Sequence, residues 1–154
     1  DGSGTFTDSS TCNSFTTALI SVSVSDGVIS YGTVALNSNK DTTASGLNDT
    51  QVMTNNGNVS ESFNIKGQNS ANWTLDASAG SDTYVQKFCT TGSGSPDPCD
   101  AGPTWTALTT NYQTLASGIA VSGTKKTDFQ ITLPTTTSSY NQQAVDITIQ
   151  AVAP

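Results

Sequence analysis

Few side chains of this chain could carry reaction chemistry. There are three cysteines, twelve acidic residues of which only Glu61 is a glutamate, five lysines, and neither arginine nor histidine. Histidine is the commonest general base and the commonest metal ligand, so its absence removes both roles at once. Two cysteines bracket the stretch "CTTGSGSPDPC", residues 89–99. A metal clip needs closer spacing and more ligands, and a dithiol redox site needs "CxxC". Intervening residues rich in Gly, Ser and Pro instead fit a disulfide across a loop, Cys89–Cys99, worth about 2–3 kcal/mol on a chain-entropy estimate. Pairing of Cys12 with either partner is the alternative, since it would tie down an N-terminal arm. Left unpaired in an exported chain, Cys12 is a free thiol or an intermolecular link. Any of these bridges implies an oxidising compartment.

Paired carboxylates would have to come from Asp97 with Asp100, or Asp76 with Asp82. Asp97 stands between two prolines, where it shapes a turn. No "GxSxG" elbow is present. No "DxDxDG" loop is present either, so calcium would need ligands from scattered loops. The expectation is a protein without catalytic residues, metal or cofactor, and not an enzyme. A net charge of −7 disfavours nucleic acid and anionic membrane surfaces as partners. No apolar run reaches membrane-spanning length, so membrane insertion is not expected. The chain starts at Asp1 and its single methionine is Met53, which suggests a processed or trimmed start. "LPTTT" at 133–137 begins like a cell-wall sorting signal but lacks the glycine and precedes a strand-like segment.

The elements that would position these groups are strands. Ser and Thr make up about 30% of the chain and charged residues 11%. Threonine-rich alternation suits a pleated surface, on which β-branched side chains pack well. Strands are expected over 17–25 and, after an Asp26-Gly27 hairpin turn, over 28–36. Further strands are expected over 49–54, 59–67, 71–77, 83–90, 104–108, 118–123, 127–133 and 143–153. In 59–67, Val59, Phe63 and Ile65 share a face that Glu61 interrupts near an edge. In the last strand Val145, Ile147, Ile149 and Ala151 share a face. A short helical turn could sit only within "TALTTNYQTLASG". Nine to ten short strands separated by turns predict an all-β antiparallel sandwich, jelly-roll or immunoglobulin-like. A single domain over 15–154 is expected, with residues 1–14 as an arm.

Three sequons, at Asn48, Asn58 and Asn72, are candidate N-glycosylation sites, although chance matches are expected in this composition. Trp73, Trp105, Tyr84 and Tyr112 are candidates for a sugar-binding platform; packing between sheets is the competing role for tryptophan.

The segment from "ISYGTVAL" through "TQVMTNNGNVSESFNIKG" has a strand ending in Tyr-Gly, a polar loop, a strand, an "NNGN" turn and another strand. In this pattern it resembles secreted prokaryotic surface β-sandwiches, the biofilm-fibre subunits of the TasA type and the archaeal bundling pili. The resemblance covers about residues 20–67 and brings no catalytic residues. It implies a subunit that polymerises by donor-strand complementation, an N-terminal segment of one copy completing a sheet of the next. Here the arm, extending to about residue 22, would be the donor, with Phe6, Phe15, Ala18 and Ile20 as anchors. The expected function is therefore an extracellular or cell-surface structural subunit, with identical subunits as partners. The alternative is a secreted carbohydrate-binding or adhesive module, with glycans as partners.

Overall fold

The structure is a computed structural model that describes residues 16–91 and 98–153. Among these residues ten strands and one short helix follow in order: β1 (Val22–Val24), β2 (Asn39–Asp41), β3 (Gln51–Asn55), β4 (Glu61–Lys66), β5 (Thr74–Leu75), β6 (Thr83–Thr91), α1 (Pro98–Ala101), β7 (Thr106–Ala107), β8 (Gln113–Ile119), β9 (Thr124–Thr132) and β10 (Thr148–Val152). They form two sheets, an all-β sandwich. The larger has seven strands along the path β1-β3-β9-β6-β5, with β2 also on β9 and β7 also on β6. The smaller has three, in the order β10-β4-β8.

β9 is the hub of the larger sheet. It pairs antiparallel with β6 from Val85↔Thr132 to Thr91↔Lys126, and with β3 from Gln51↔Thr127 to Thr54↔Thr124. Period-2 alternation sends Thr127, Phe129 and Ile131 to the inner face and Asp128 to the outer one. Phe88 stands directly opposite Phe129, and Gln86 opposite Ile131, so these four share the inner face. From the smaller sheet Phe63 and Ile65 meet them, both fully buried. Met53, Tyr84, Leu108 and Leu115 close the same cluster. Each large apolar side chain so removed from water stabilises by roughly 1.5–3 kcal/mol. Val145, Ile147, Ile149 and Ala151 pack against this core, as their alternation suggested.

Several expectations from sequence are corrected. The apolar alternation of 28–36 forms no strand. Gly27, Gly32 and Asn37 have φ of 70°, 63° and 55°, and these left-handed residues break the extended path that pairing requires. Asp26-Gly27 makes a bend, closed by Val28 N–H donating to Asp26 Oδ1, but no hairpin follows, because β1 pairs with β3 instead. Of 17–25 only Val22–Val24 is strand. The stretch thought able to hold a helical turn contributes β8, which pairs with β4 through a bulged register. β8 also absorbs the start of the strand expected over 118–123, and residues 120–123 are a turn closed by Gly123 N–H to Ala120 O. The helix lies instead at Pro98–Ala101.

Glu61 does not sit at a tolerant edge. It is fully buried on the inner face, and its Oε1 accepts the Ser21 N–H at 2.7 Å. Asn55, also fully buried, donates to the carbonyls of Val59 and Ile119 and accepts the Gly57 N–H. One amide thereby joins the end of β3, the turn after it and the end of β8, and stitches the two sheets at that corner.

Candidate functional site

Cys89 and Cys99 are bonded to each other, Cα atoms 6.1 Å apart. The bridge lies on the outer face of the larger sheet, where Cys89 stands opposite Asp128. It anchors α1 beside the 42–50 loop, whose Ala44 N–H donates to Asp100 Oδ1 at 2.7 Å. Beneath this loop Asp128, fully buried, accepts the hydroxyls of Thr42 and Thr50, both at 2.8 Å. The region is a brace on the outer face. Cys12, Phe6, Phe15 and Asp97 lie outside the described residues.

Among the described residues the candidate carboxylates each serve a separate local partner. Asp76 accepts its neighbour Ala77's N–H, Asp100 serves Ala44, and Asp82 serves Thr137 and Ser138. Among the described residues no group of three or more Cys, Asp or Glu side chains is placed to hold a metal ion. Among the same residues no helix is long and apolar enough to cross a membrane.

The start of the described chain is strapped to its own fold. Asn58 accepts the Leu19 N–H at 2.7 Å, donates its amide to the Thr17 carbonyl at 2.9 Å, and bonds Leu19 O through its own N–H. Ser21 is held by Glu61 and by the Asn56 N–H. Gly57 leaves the room for this: a Cβ there would run into the Leu19 carbonyl and Glu61 Oε1. Ala18 is exposed and Ile20 half-buried. Residues 17–24 are thus engaged in cis.

The same contacts sort the sequons. Asn58 spends its amide nitrogen on the strap, and Asn72 accepts from Gln143. Asn48 is exposed, at φ 53°, and its side chain has no partner among the described residues.

The four aromatics singled out from sequence do not form one platform. Tyr84 is buried, its hydroxyl donating to the Gln68 carbonyl, and burial pushes its pKa upward. Trp73 is half-buried against it, ring centroids 6.5 Å apart. Tyr112 lies on β4's flank, where the Lys66 ammonium sits 4.7 Å from its ring centre. Trp105, half-buried, precedes β7.

Two clefts open over the inner face of the larger sheet, the first of them beside the smaller sheet. Its last strand, β10, has β4 on one side and, among the described residues, no strand on the other. There the inner face of the larger sheet is overlain by two irregular segments, 27–36 and 137–147, instead of strands. The first cleft, about 300 Å³, lies between β10 and the larger sheet, with Val24, Ile29, Met53, Val145, Ile147 and Ile149 among its walls. Tyr31 also lines it: its hydroxyl accepts from Gln86 Nε2 at 3.0 Å, and burial raises its pKa.

The second cleft, about 540 Å³, continues from Ile29, Tyr31 and Ile131 toward Trp73 and Tyr140. Its wall is tied by side chains. Trp73 Nε1–H donates to Thr137 Oγ1 at 2.8 Å, and that hydroxyl donates to Asp82 Oδ1 at 2.8 Å. Ser138 adds its N–H and hydroxyl to the same carboxylate, and these donors hold Asp82 below the usual carboxylate range. Gln143 bridges Ser70 and Asn72 across the opening. Tyr140, 83% exposed, was not anticipated; its setting in "SSYNQQ", an aromatic among amides and hydroxyls before the last strand, was the available signal.

No protein-family model matches the chain, no curated protein matches it, and no solved structure matches it.

Proposed function

We propose that this chain is an extracellular structural subunit that assembles with copies of itself into a filament, pilus-like fibre or surface layer by donor-strand complementation. The observation that carries the reading is the unequal sandwich. Among the described residues three strands face seven, and the short sheet stops at β10 beside an apolar cleft. An extended segment laid along β10 would satisfy a row of backbone groups and send alternate side chains toward Val145, Ile147 and Ile149. Residues 17–24 are engaged by their own chain, so the donor is assigned to residues 1–15 of a neighbouring copy. Fully extended, such a segment reaches about 50 Å, ample to cross to another subunit. The Cys89–Cys99 bridge fits an oxidising, exported setting.

Electron microscopy and light scattering of the full chain, of a variant lacking residues 1–15, and of Ile147→Lys test the proposal. Polymers are expected from the full chain, and none from either variant while each keeps the native circular dichroism spectrum. A synthetic peptide of residues 1–15 should cap growth. Polymers of normal length from the truncated variant, or a full chain that stays monomeric at high concentration, would overturn it.

A further inference from the structure

The second cleft has the composition of a recognition site for a neutral sugar. Asp and Glu outnumber Lys by twelve to five in the chain, yet no charged residue lines this cleft. Ionic ligands therefore find no counter-charge there. What lines it is an aromatic surface, hydroxyls and amides. Ser30, Thr33, Asn141 and Gln142 have side chains without a hydrogen-bond partner among the described residues, so their donors and acceptors are available to a ligand. The aromatic component is held in place beforehand. The Asp82–Thr137 relay fixes the Trp73 ring, and Gln143 fixes the loop that carries it. Preorganised aromatic area with a few convergent polar groups lowers the entropic cost of binding a flexible ligand. Leu36, Ile131 and Leu133 supply an apolar floor against which the C–H face of a pyranose ring packs. Tyr140 at the rim is the kind of exposed aromatic onto which a second ring stacks.

We infer that this cleft binds a neutral oligosaccharide, with Trp73 and Tyr140 as stacking surfaces and Asn141 and Gln142 as hydrogen-bonding groups. This activity is separate from self-assembly, since no β10 residue lines the cleft it uses. A subunit with both would crosslink a fibre to a neutral polysaccharide.

The probes are cellohexaose, maltohexaose and N-acetylchitohexaose, with oligogalacturonate as the charged control, titrated into the full chain. Calorimetry gives the affinity and the Trp73 indole N–H resonance gives the location. Binding of at least one neutral hexasaccharide, a shifted Trp73 resonance and no response to oligogalacturonate are expected. Tyr140→Ala should weaken binding about tenfold, the equivalent of one well-packed aromatic contact. Asn141→Ala with Gln142→Ala should weaken it by a similar factor. All three positions are exposed, so folding is preserved and the loss reports on the site. No binding by any of the three neutral probes, or binding that is unchanged in Tyr140→Ala and in the amide double variant, would overturn the inference. Assembly is read by microscopy on the same samples, so failure of one proposal leaves the other measurable.

Discussion

Replacing Asn55 with aspartate removes two hydrogen atoms' worth of bonding and almost nothing else. The side chain keeps its shape, and its Oδ1 can still accept from Gly57, at 2.7 Å in the native fold. The lost amide donated to Val59 O at 2.8 Å and Ile119 O at 2.9 Å. A buried group left without its partner costs about 1–3 kcal/mol. The Val59 bond is only part-buried, so water can return to that carbonyl and its cost is at the low end. The Ile119 bond is buried and takes the high end. Facing two carbonyl oxygens with a desolvated carboxylate adds to this, and a destabilisation of about 3–5 kcal/mol at neutral pH follows. That is a large part of the 5–15 kcal/mol typical of a domain. Equilibrium urea unfolding should show it as a midpoint lower by roughly 2 M, at an unchanged slope.

The pH dependence supplies a second check. Burial and the facing carbonyls raise the folded-state pKa of the introduced carboxyl above its unfolded value of about 3.9. The ionisation part of the penalty is then complete above the raised folded pKa and absent below the unfolded one, while a protonated carboxyl, with one donor for two carbonyls, keeps the remainder. The gap to the native chain should narrow as pH falls from 7 toward 4. Asn56→Asp, at an exposed position in the same turn whose amide donates to Ser23 Oγ, should cost less than about 1 kcal/mol. An Asn55→Asp variant within about 1 kcal/mol of the native chain at neutral pH, or a gap that widens on acidification, would refute the claim that this amide joins the sheets.

Reduction of Cys89–Cys99, or its replacement by alanines, should lower stability by about 2.5 kcal/mol for a loop of this length. Hydrogen exchange at the Ala44 amide, which is bonded to Asp100 on α1, should accelerate with it; unchanged protection there would show that the bridge does not hold that loop. Asp82 has a depressed folded-state pKa through its bonds to Ser138 and Thr137, so its stabilising effect is present above the unfolded value and lost as pH falls through the folded one. Below about pH 4 the Trp73 indole resonance should therefore move in the native chain. In Asp82→Asn it should no longer follow pH over that range; an equal titration in both would place its origin elsewhere.

Much of the scaffold was legible as local pattern. Period-2 alternation in 59–67, 83–90, 127–133 and 143–153 placed Phe63, Phe129 and Ile149 on buried faces, because strand geometry sends every second side chain the same way whatever the strand pairs with. The Cys89–Cys99 bridge was readable as well, since a short turn-rich loop brings its own ends together. The same rule misread 28–36, where apolar spacing is present but left-handed residues at Gly27, Gly32 and Asn37 break the path. It also passed over β8, because its Ser, Gly and Ala residues dilute the apolar signal.

The candidate site was far less visible. Four aromatics were grouped by residue type, yet of these Trp73 alone lines either of the two clefts described, where Tyr140 lines the same cleft. The two are 67 positions apart in the chain, and nothing local relates them. By itself the sequence determined an all-β sandwich and favoured a Cys89–Cys99 brace over a bridge from Cys12, because alternation, turn chemistry and loop closure act over a few residues. Only the tertiary structure decided that Glu61 and Asn55 would be buried fasteners, that 17–24 would be strapped in cis, and that, among the described residues, the short sheet would stop at β10 beside the first cleft. Those outcomes depend on which distant strands meet, and pairing between distant segments leaves no local pattern to read.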